Sequence, residues 1–307
     1  MSCYHPLSAY RSSYKLDGKY IIRFPPCDDL DFEPIRLPCG KCIGCRLEYS
    51  RVWAMRIMHE SQMHVSSSFI TLTFNDDYID DNWSLDVKVF QRFMKRLRSR
   101  LPDVKLRFYH CGEYGDTFKR PHYHACLFGY DFPDREFYKI SNGFRLYNSK
   151  FLDSVWGFGF CVIGDVTFES AAYVARYVTK KINGKPAFDH YLHHLDTETG
   201  EFVHFAKEYA TMSRNPGIGR DWYDKYAVSD VYAKDYCTIR GAKCMPPRYY
   251  DNVFEIEYPS DFERIKERRL LNADLNKDDN TRARLLVKET VKKDKIKSLF
   301  RSFESDL

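Results

Sequence analysis

The segment Arg120–Gly129, reading Arg-Pro-His-Tyr-His-Ala-Cys-Leu-Phe-Gly, constrains the fold of this 307-residue chain more than any other. Residues two apart share a face on an extended strand, so His122 and His124 can serve one site there while Tyr123 turns to the other side. A strand needs partners. Upstream, Lys105–Cys111 alternates apolar and polar residues, and Gly112–Lys119 reads as the turn between the two segments. The resulting antiparallel hairpin brings Glu113, nine residues before His122, close to the histidine pair.

Around this hairpin, hydrophobic periodicity sets the remaining elements. Glu48–Met63 reads as a helix with Val52, Met55, Ile57 and Met58 toward the core and Arg51 and Arg56 outward. Ser68–Phe74 is β-branched and aromatic, hence a buried strand. Leu85–Leu101 carries Val89, Phe90, Phe93, Met94 and Leu97 at helical spacing, and Pro102 ends it. A short helix over Lys150–Val155, a strand over Phe160–Val166 and a helix over Glu169–Ile182 follow. Ser170 is the expected start of that last helix and Asn183-Gly184 its stop. The order β-α-β-β-(α)-β-α predicts an α+β fold, an antiparallel sheet with helices packed on one face. Four regions are expected: a Cys-rich, turn-rich segment 1–47, a core 48–185, an irregular aromatic-rich extension 186–259 packed on that core, and a charged tail 260–307. The tail mixes both charge signs and reads as a solvated helix or a flexible arm.

Composition narrows the class. A content of 44% hydrophobic and 16% aromatic residues supplies a real core and excludes wholesale disorder. The net charge of +5 permits a nucleic-acid partner without requiring one. Its distribution says more, with Arg92, Lys95, Arg96, Arg98 and Arg100 in one segment and Arg176, Lys180, Lys181 and Lys185 in another. No run of eighteen apolar residues is present and Met1–Pro6 is no signal peptide, so the expectation is a protein that stays where it is made, away from membranes. In that setting the ten cysteines read as reduced thiols with a metal site rather than as a disulfide scaffold. No nucleotide-binding loop occurs, so any DNA unwinding must come from elsewhere.

On the predicted helix, Tyr173 and Tyr177 stand one turn apart, about 5–6 Å between Cβ atoms. Such a pair ordinarily packs in a core, but Val174, Ala175 and Val178 can supply the buried face here. Two tyrosine hydroxyls beside a paired-histidine metal site point to metal-assisted phosphoryl transfer through a tyrosine nucleophile. His122, His124 and Glu113 would leave open positions on the ion for water or phosphate oxygens, which suits Mg²⁺ or Mn²⁺. Lys180 is the candidate for steadying phosphate or phenolate charge. Arg120, Arg176 and Lys181 are the expected DNA-binding residues, with an ordinary solvated face as the blander reading. Cys39-x-x-Cys42-x-x-Cys45 has thiolate-chelate spacing, and Cys3 or Cys27 can complete a structural Zn²⁺ site. Cys3 is the better fourth ligand because it tethers the terminus. An iron–sulfur cluster or free thiols are the alternatives.

Three ordered motifs, Phe69–Phe74, Arg120-Pro-His122-Tyr-His124 and Tyr173-Val-Ala-Arg-Tyr177-Val-Thr-Lys180-Lys181, resemble those of the HUH rolling-circle replication initiators. With Pro38–Arg46 and Ser213–Gly219, the paired tyrosines resemble the initiators of single-stranded DNA bacteriophages, the microviruses of gokushovirus type. The resemblance spans residues 37–225. It implies an HUH endonuclease core of ferredoxin/RRM-like form with an N-terminal metal-binding extension. It implies a metal-dependent nickase that cuts single-stranded DNA at the viral origin, leaves a 5′-phosphotyrosyl link and a free 3′-hydroxyl, and rejoins the strand at termination. Single-stranded and origin duplex DNA, a host helicase and polymerase, and the bacterial cytoplasm are the implied partners and place. Tyr123 departs from the apolar residue the HUH name implies, though its ring packs as a mostly apolar body. A transposase or relaxase of the same chemistry and a zinc-stabilised, non-catalytic DNA-binding protein are the competing readings.

Overall fold

The β-branched and aromatic runs around the histidine motif pair into one large sheet. The computed structural model describes residues 3–78, 84–115, 120–141, 143–180, 191–195, 200 and 202–297. In chain order the elements are β1 (Leu7–Leu16), β2 (Lys19–Arg23), β3 (Phe32–Leu37), α1 (Ile43–Ser61), β4 (Ser67–Thr73), α2 (Val87–Arg100), β5 (Arg107–Tyr114) and β6 (Pro121–Phe128). Then come β7 (Glu136–Ser141), β8 (Phe144–Asn148), α3 (Lys150–Trp156), β9 (Cys161–Asp165), α4 (Phe168–Lys180), β10 (Leu192–Leu195), β11 (Phe202–His204) and β12 (Tyr209–Met212). A small hairpin, β13 (Cys237–Ile239) and β14 (Ala242–Cys244), and helices Arg220–Tyr226, Arg248–Glu257, Pro259–Leu275 and Arg282–Lys297 complete the described chain.

Residues Ser50–Phe262 form one compact unit. Its seven-stranded sheet runs β12-β5-β6-β4-β9-β8-β7 and is antiparallel throughout. The α+β expectation holds, but helices cover both faces rather than one. On one face Ile70, Leu72, Tyr123, Ala125, Leu127 and Ile163 pack with Phe90, Phe93, Met94 and Leu97 of α2 and Leu152, Val155 and Trp156 of α3. On the other, Phe69, Tyr109, Cys111, Cys126 and Phe128 pack with Ala54 and Ile57 of α1 and Ala171, Tyr173 and Val174 of α4. The reason lies in β4 and β6, whose consecutive residues are apolar, so that neither face can be left to water.

Several local expectations shift for identifiable reasons. β5 runs on through Glu113 to Tyr114, so Glu113 sits on a strand directly opposite His122 and not in the turn. Arg56 is buried, not outward: its guanidinium lies over Trp53 (4.2 Å) and Tyr249 (4.1 Å) and its Nε donates to Ile218 O (3.0 Å). Ser170 is not the cap of α4. Thr167 N–H donates to Ser170 Oγ (2.8 Å) and Ser170 N–H to Thr167 Oγ1 (3.2 Å), a reciprocal capping pair with Thr167 as the cap. The Asn183-Gly184 stop lies outside the described residues. The β7–β8 hairpin was not expected, although Asn142-Gly143 is its usual sequence signal. The extension after residue 186 is less irregular than its sequence suggests, because β12 joins the large sheet beside β5.

The other unit combines the N-terminal segment through Tyr49 with the C-terminal chain from Glu263. The segment read as turn-rich holds a three-stranded antiparallel sheet, β2-β1-β3. The charged tail forms helices within the described residues, and Glu289 of the last one accepts from His5 Nε2 (2.7 Å). No described helix is long and apolar enough to cross a membrane.

Candidate active site

Strand register builds the site. Glu113 faces His122 across β5–β6, while Thr73 faces His122 and Thr71 faces His124 across β4–β6. All five therefore lie on the α1/α4 face of the sheet, at positions of side-chain period two. His124 is buried, with Nε2 2.7 Å from Glu113 Oε1 and Nδ1 2.9 Å from Thr71 Oγ1. Its ring lies nearly parallel to Phe69, centroids 5.8 Å apart. His122 Nδ1 is 2.7 Å from Arg120 O, so this nitrogen carries the proton and Nε2 keeps its lone pair. Burial, then the neighbouring His124, pushes the His122 pKa down to about 4, which leaves a neutral imidazole at pH 7. The two imidazoles are almost coplanar in orientation (8°) with centroids 6.4 Å apart. Two imidazole nitrogens and a carboxylate oxygen on one face form a donor set that fits Mg²⁺ or Mn²⁺, and an ion there would replace the His124–Glu113 hydrogen bond.

The tyrosine helix reaches the same place. Tyr173 is only 5% exposed; its hydroxyl donates to Glu113 Oε1 (3.3 Å) and its ring meets His124 edge-on at 5.1 Å. Core packing and a site position are thus combined in one side chain, where the sequence had set them as alternatives. Tyr177 and Lys180 lie on α4, one and nearly two turns further on, with side chains outside the described residues, as is all of Lys181. Arg176 is on the exposed side of α4. Arg120 donates to Phe74 O (3.1 Å) and pairs with Asp76 (2.7 Å), directly before the histidine strand. Thr71 was not singled out from the sequence, and its place two residues into a predicted strand gave no signal of its contact with His124.

In the N-terminal unit, Cys3, Cys39, Cys42 and Cys45 bring their sulfur atoms within 4.8 Å of one another. Among the described residues this is the one group of three or more candidate metal ligands that converges so closely, and Cys27 is not part of it. Tetrahedral zinc with Zn–S bonds of about 2.3 Å sets sulfurs about 3.8 Å apart. Two of the pairs, Cys39–Cys45 and Cys3–Cys42, already stand at 4.0 Å. Backbone N–H groups of Cys39, Cys42 and Tyr4 donate to Cys3, Cys39 and Cys42 sulfurs, as thiolates require. Burial pushes the Cys42 thiol up, but hydrogen bonds from the Tyr4 and Cys45 backbone and from Cys45 and Cys39 outweigh it and bring the pKa to about 6.

Residues 67–182, which hold the histidine strand and the tyrosine helix, match the family model of the ORF2-type replication-associated proteins. Replication-associated protein VP4 of Bdellovibrio phage phiMH2K is 33% identical over 72% of this chain and 68% of its own length. The chain belongs to the family of phage replication-associated proteins. Replication-associated protein ORF2 of Spiroplasma virus 4 is 31% identical over 76% of this chain and 72% of its own length, and ORF4 of Chlamydia phage 1 is 26% identical over 86% and 64%. No solved structure gives a significant match.

In this replication-associated protein the Ser213–Gly219 motif locks the extension to the sheet and to α1. Glu60 is buried; it accepts from Arg107 Nε, from Gly219 N–H (2.6 Å) and from His64 (3.2 Å), while Arg107 also donates to Pro216 O (2.8 Å). Burial alone would raise the Glu60 pKa, but hydrogen bonds from His64, Gly219 and Arg107 hold it below the ordinary carboxylate range. Its stabilisation is therefore present above the unfolded pKa of about 4.3 and lost as pH falls through the lower folded value. Glu60→Gln is expected to destabilise the protein by about 3 kcal/mol at neutral pH. Urea unfolding should show that gap narrowing below about pH 4. Equal stability of the two proteins at pH 7 would contradict this role.

Proposed function

We propose that this replication-associated protein is an HUH-type initiator of rolling-circle replication. It nicks single-stranded DNA at the viral origin and rejoins the strand at termination. The observation that carries the reading is the Tyr173 hydroxyl on Glu113, the same carboxylate that holds His124. A nucleophile, its orienting carboxylate and two imidazoles on one buried sheet face suit transfer of a phosphoryl group to tyrosine. Mg²⁺ or Mn²⁺ held by His122, His124 and Glu113 would polarise the scissile phosphate and spread the charge on its oxygens.

The chain's own groups account for the remaining steps. Glu113 orients the Tyr173 oxygen, which forms a bond to phosphorus as the bond to the 3′-oxygen breaks. The phenolic proton is lost, the 3′-oxygen gains one, and a 5′-phosphotyrosyl link remains. Tyr177, one turn along α4, serves the second cleavage, after which the released 3′-hydroxyl attacks the first link and closes a circle. Lys180 steadies the developing charge, and Arg120, Arg176 and Lys181 hold DNA phosphates. Origin duplex DNA, a host helicase and polymerase, and the bacterial host cytoplasm follow from the same reading. Incubating the protein with circular single-stranded phage DNA and Mn²⁺ should give a covalent protein–DNA species stable to detergent. Tight DNA binding with no such species would favour a non-catalytic DNA-binding protein instead.

The cysteine cluster completes the proposal as a structural Zn²⁺ site of Cys3, Cys39, Cys42 and Cys45. The purified protein is expected to carry about one zinc per chain. Stripping it should lower the melting temperature by at least about 5 °C while changing the chemical step less. Elemental analysis showing iron, or no metal, would overturn the assignment.

A further inference from the structure

At one end of the large sheet, a single row of residues leads from the proposed nuclease groups to two exposed aromatic rings. Glu113 pairs with His122 and His122 with Thr73. Thr73 in turn exchanges two backbone hydrogen bonds with Phe160, of 3.0 and 3.1 Å. Directly opposed residues share a face, so Phe160 stands on the histidine side of the sheet. Its side chain is 42% exposed and belongs to neither core cluster. Tyr138, 46% exposed, lies against it with ring centroids 5.5 Å apart, and Lys139 Nζ stands 5.6 Å from the Tyr138 ring.

The backbone beneath these rings is fixed. Gly159, at φ +148°, has Asn75 N and Thr73 O within 2.4 and 2.5 Å of where a Cβ would sit, so only glycine lets the chain pass. Asn75 N–H donates to Phe158 O (2.9 Å), and Trp156 Nε1 donates to Thr73 O (3.0 Å). A phenylalanine held on a rigid strand end with nearly half its surface in water contributes little to the core. Its face suits a partner that is itself flat and apolar.

We propose that Phe160 and Tyr138 form a stacking platform for bases of the single-stranded DNA flanking the phosphate at His122 and Glu113, with Lys139 on an adjoining backbone phosphate; this rests on the nicking function proposed above. Two strand spacings separate His122 from Phe160, about 10 Å. About three stacked nucleotides at about 3.4 Å each fill that span. Because every base has a π face, the platform holds the strand without reading its sequence.

The test uses the full-length protein and a fluorescein-labelled oligothymidylate of about 20 nucleotides in chelating buffer, followed by fluorescence anisotropy. The Phe160→Ala, Tyr138→Ala double variant is expected to bind at least about tenfold more weakly, and Phe160→Trp at least as tightly as wild type. Both side chains are exposed, so circular dichroism and melting should be unchanged. Photocrosslinking with an iodouracil-substituted strand should mark Phe160 or Tyr138. Binding by the double variant within about twofold of wild type, or crosslinks confined to other elements, would overturn the platform. The covalent-adduct assay separates the two ideas. A wild-type adduct with undiminished binding by the double variant removes the platform alone. Weakened binding by that variant, with no adduct from wild type, removes the nicking function and leaves a DNA-binding face.

Discussion

The Tyr173→Phe, Tyr177→Phe double variant is expected to form no covalent adduct with single-stranded phage DNA. Phenylalanine keeps the ring that packs against Phe69 and His124 but removes the only atom able to attack phosphorus. The fold should therefore survive while adduct formation falls by on the order of 10³-fold or more. The single variants should differ. Tyr173 already donates to Glu113 at 3.3 Å, so Tyr173→Phe should lose more of the first nick than Tyr177→Phe. Closure uses both oxygens in succession, so either single variant should lose circle formation more severely than cleavage. Mass spectrometry of the adduct peptide decides the matter, and a DNA-linked tyrosine outside residues 173–177 would sink the assignment.

Removing a histidine should have an effect of similar size. His124 is buried, stacked on Phe69 and bonded to Thr71, so alanine would leave a cavity as well as a missing ligand. His124→Gln retains volume and polarity and is the cleaner variant. Its cleavage in Mn²⁺ should fall at least about 100-fold, because loss of an outer hydrogen-bond partner of a metal ligand already costs about 10–100-fold. Thr71→Val, which keeps the shape but removes the hydroxyl facing Nδ1, should lose about 10–100-fold and be partly rescued by more Mn²⁺. Unchanged cleavage by His124→Gln, or by wild type in strong chelator, would end the metal hypothesis.

The parts of this site carried by short-range periodicity were legible in the sequence. Alternation across Pro121–Phe128 fixes which histidines share a face, and the spacing of Ala171, Val174 and Ala175 fixes the buried side of α4. Register was less legible. Glu113 was expected near the histidines but in a turn; the Tyr109–Gly112 stretch of β5 also pairs with Tyr209–Met212 of β12, a partner about a hundred residues away that no local pattern announces. Arg56 shows the same limit. A charged residue on a helix defaults to water, and only Trp53, Tyr249 and the Ile218 carbonyl, brought in by the later chain, make its burial favourable. Two-sided coverage of the sheet was readable in principle, since Phe69-Ile70 and Cys126-Leu127 place apolar neighbours on opposite faces.

The lock at Ser213–Gly219 sets where this protein can be cut. A fragment ending after the tyrosine helix would keep every proposed catalytic group, yet it would strand the Glu60–Arg107 pair without the Gly219 amide and the Pro216 carbonyl, and it would bare the outer edge of β5. Such a minimal nuclease should be insoluble, whereas one carried through Phe262 should fold. By the same reasoning, chimaeras between relatives should tolerate exchange of the β7–β8 hairpin but not of α1 without its matching Ser213–Gly219 loop, so these two distant stretches of gene should travel together.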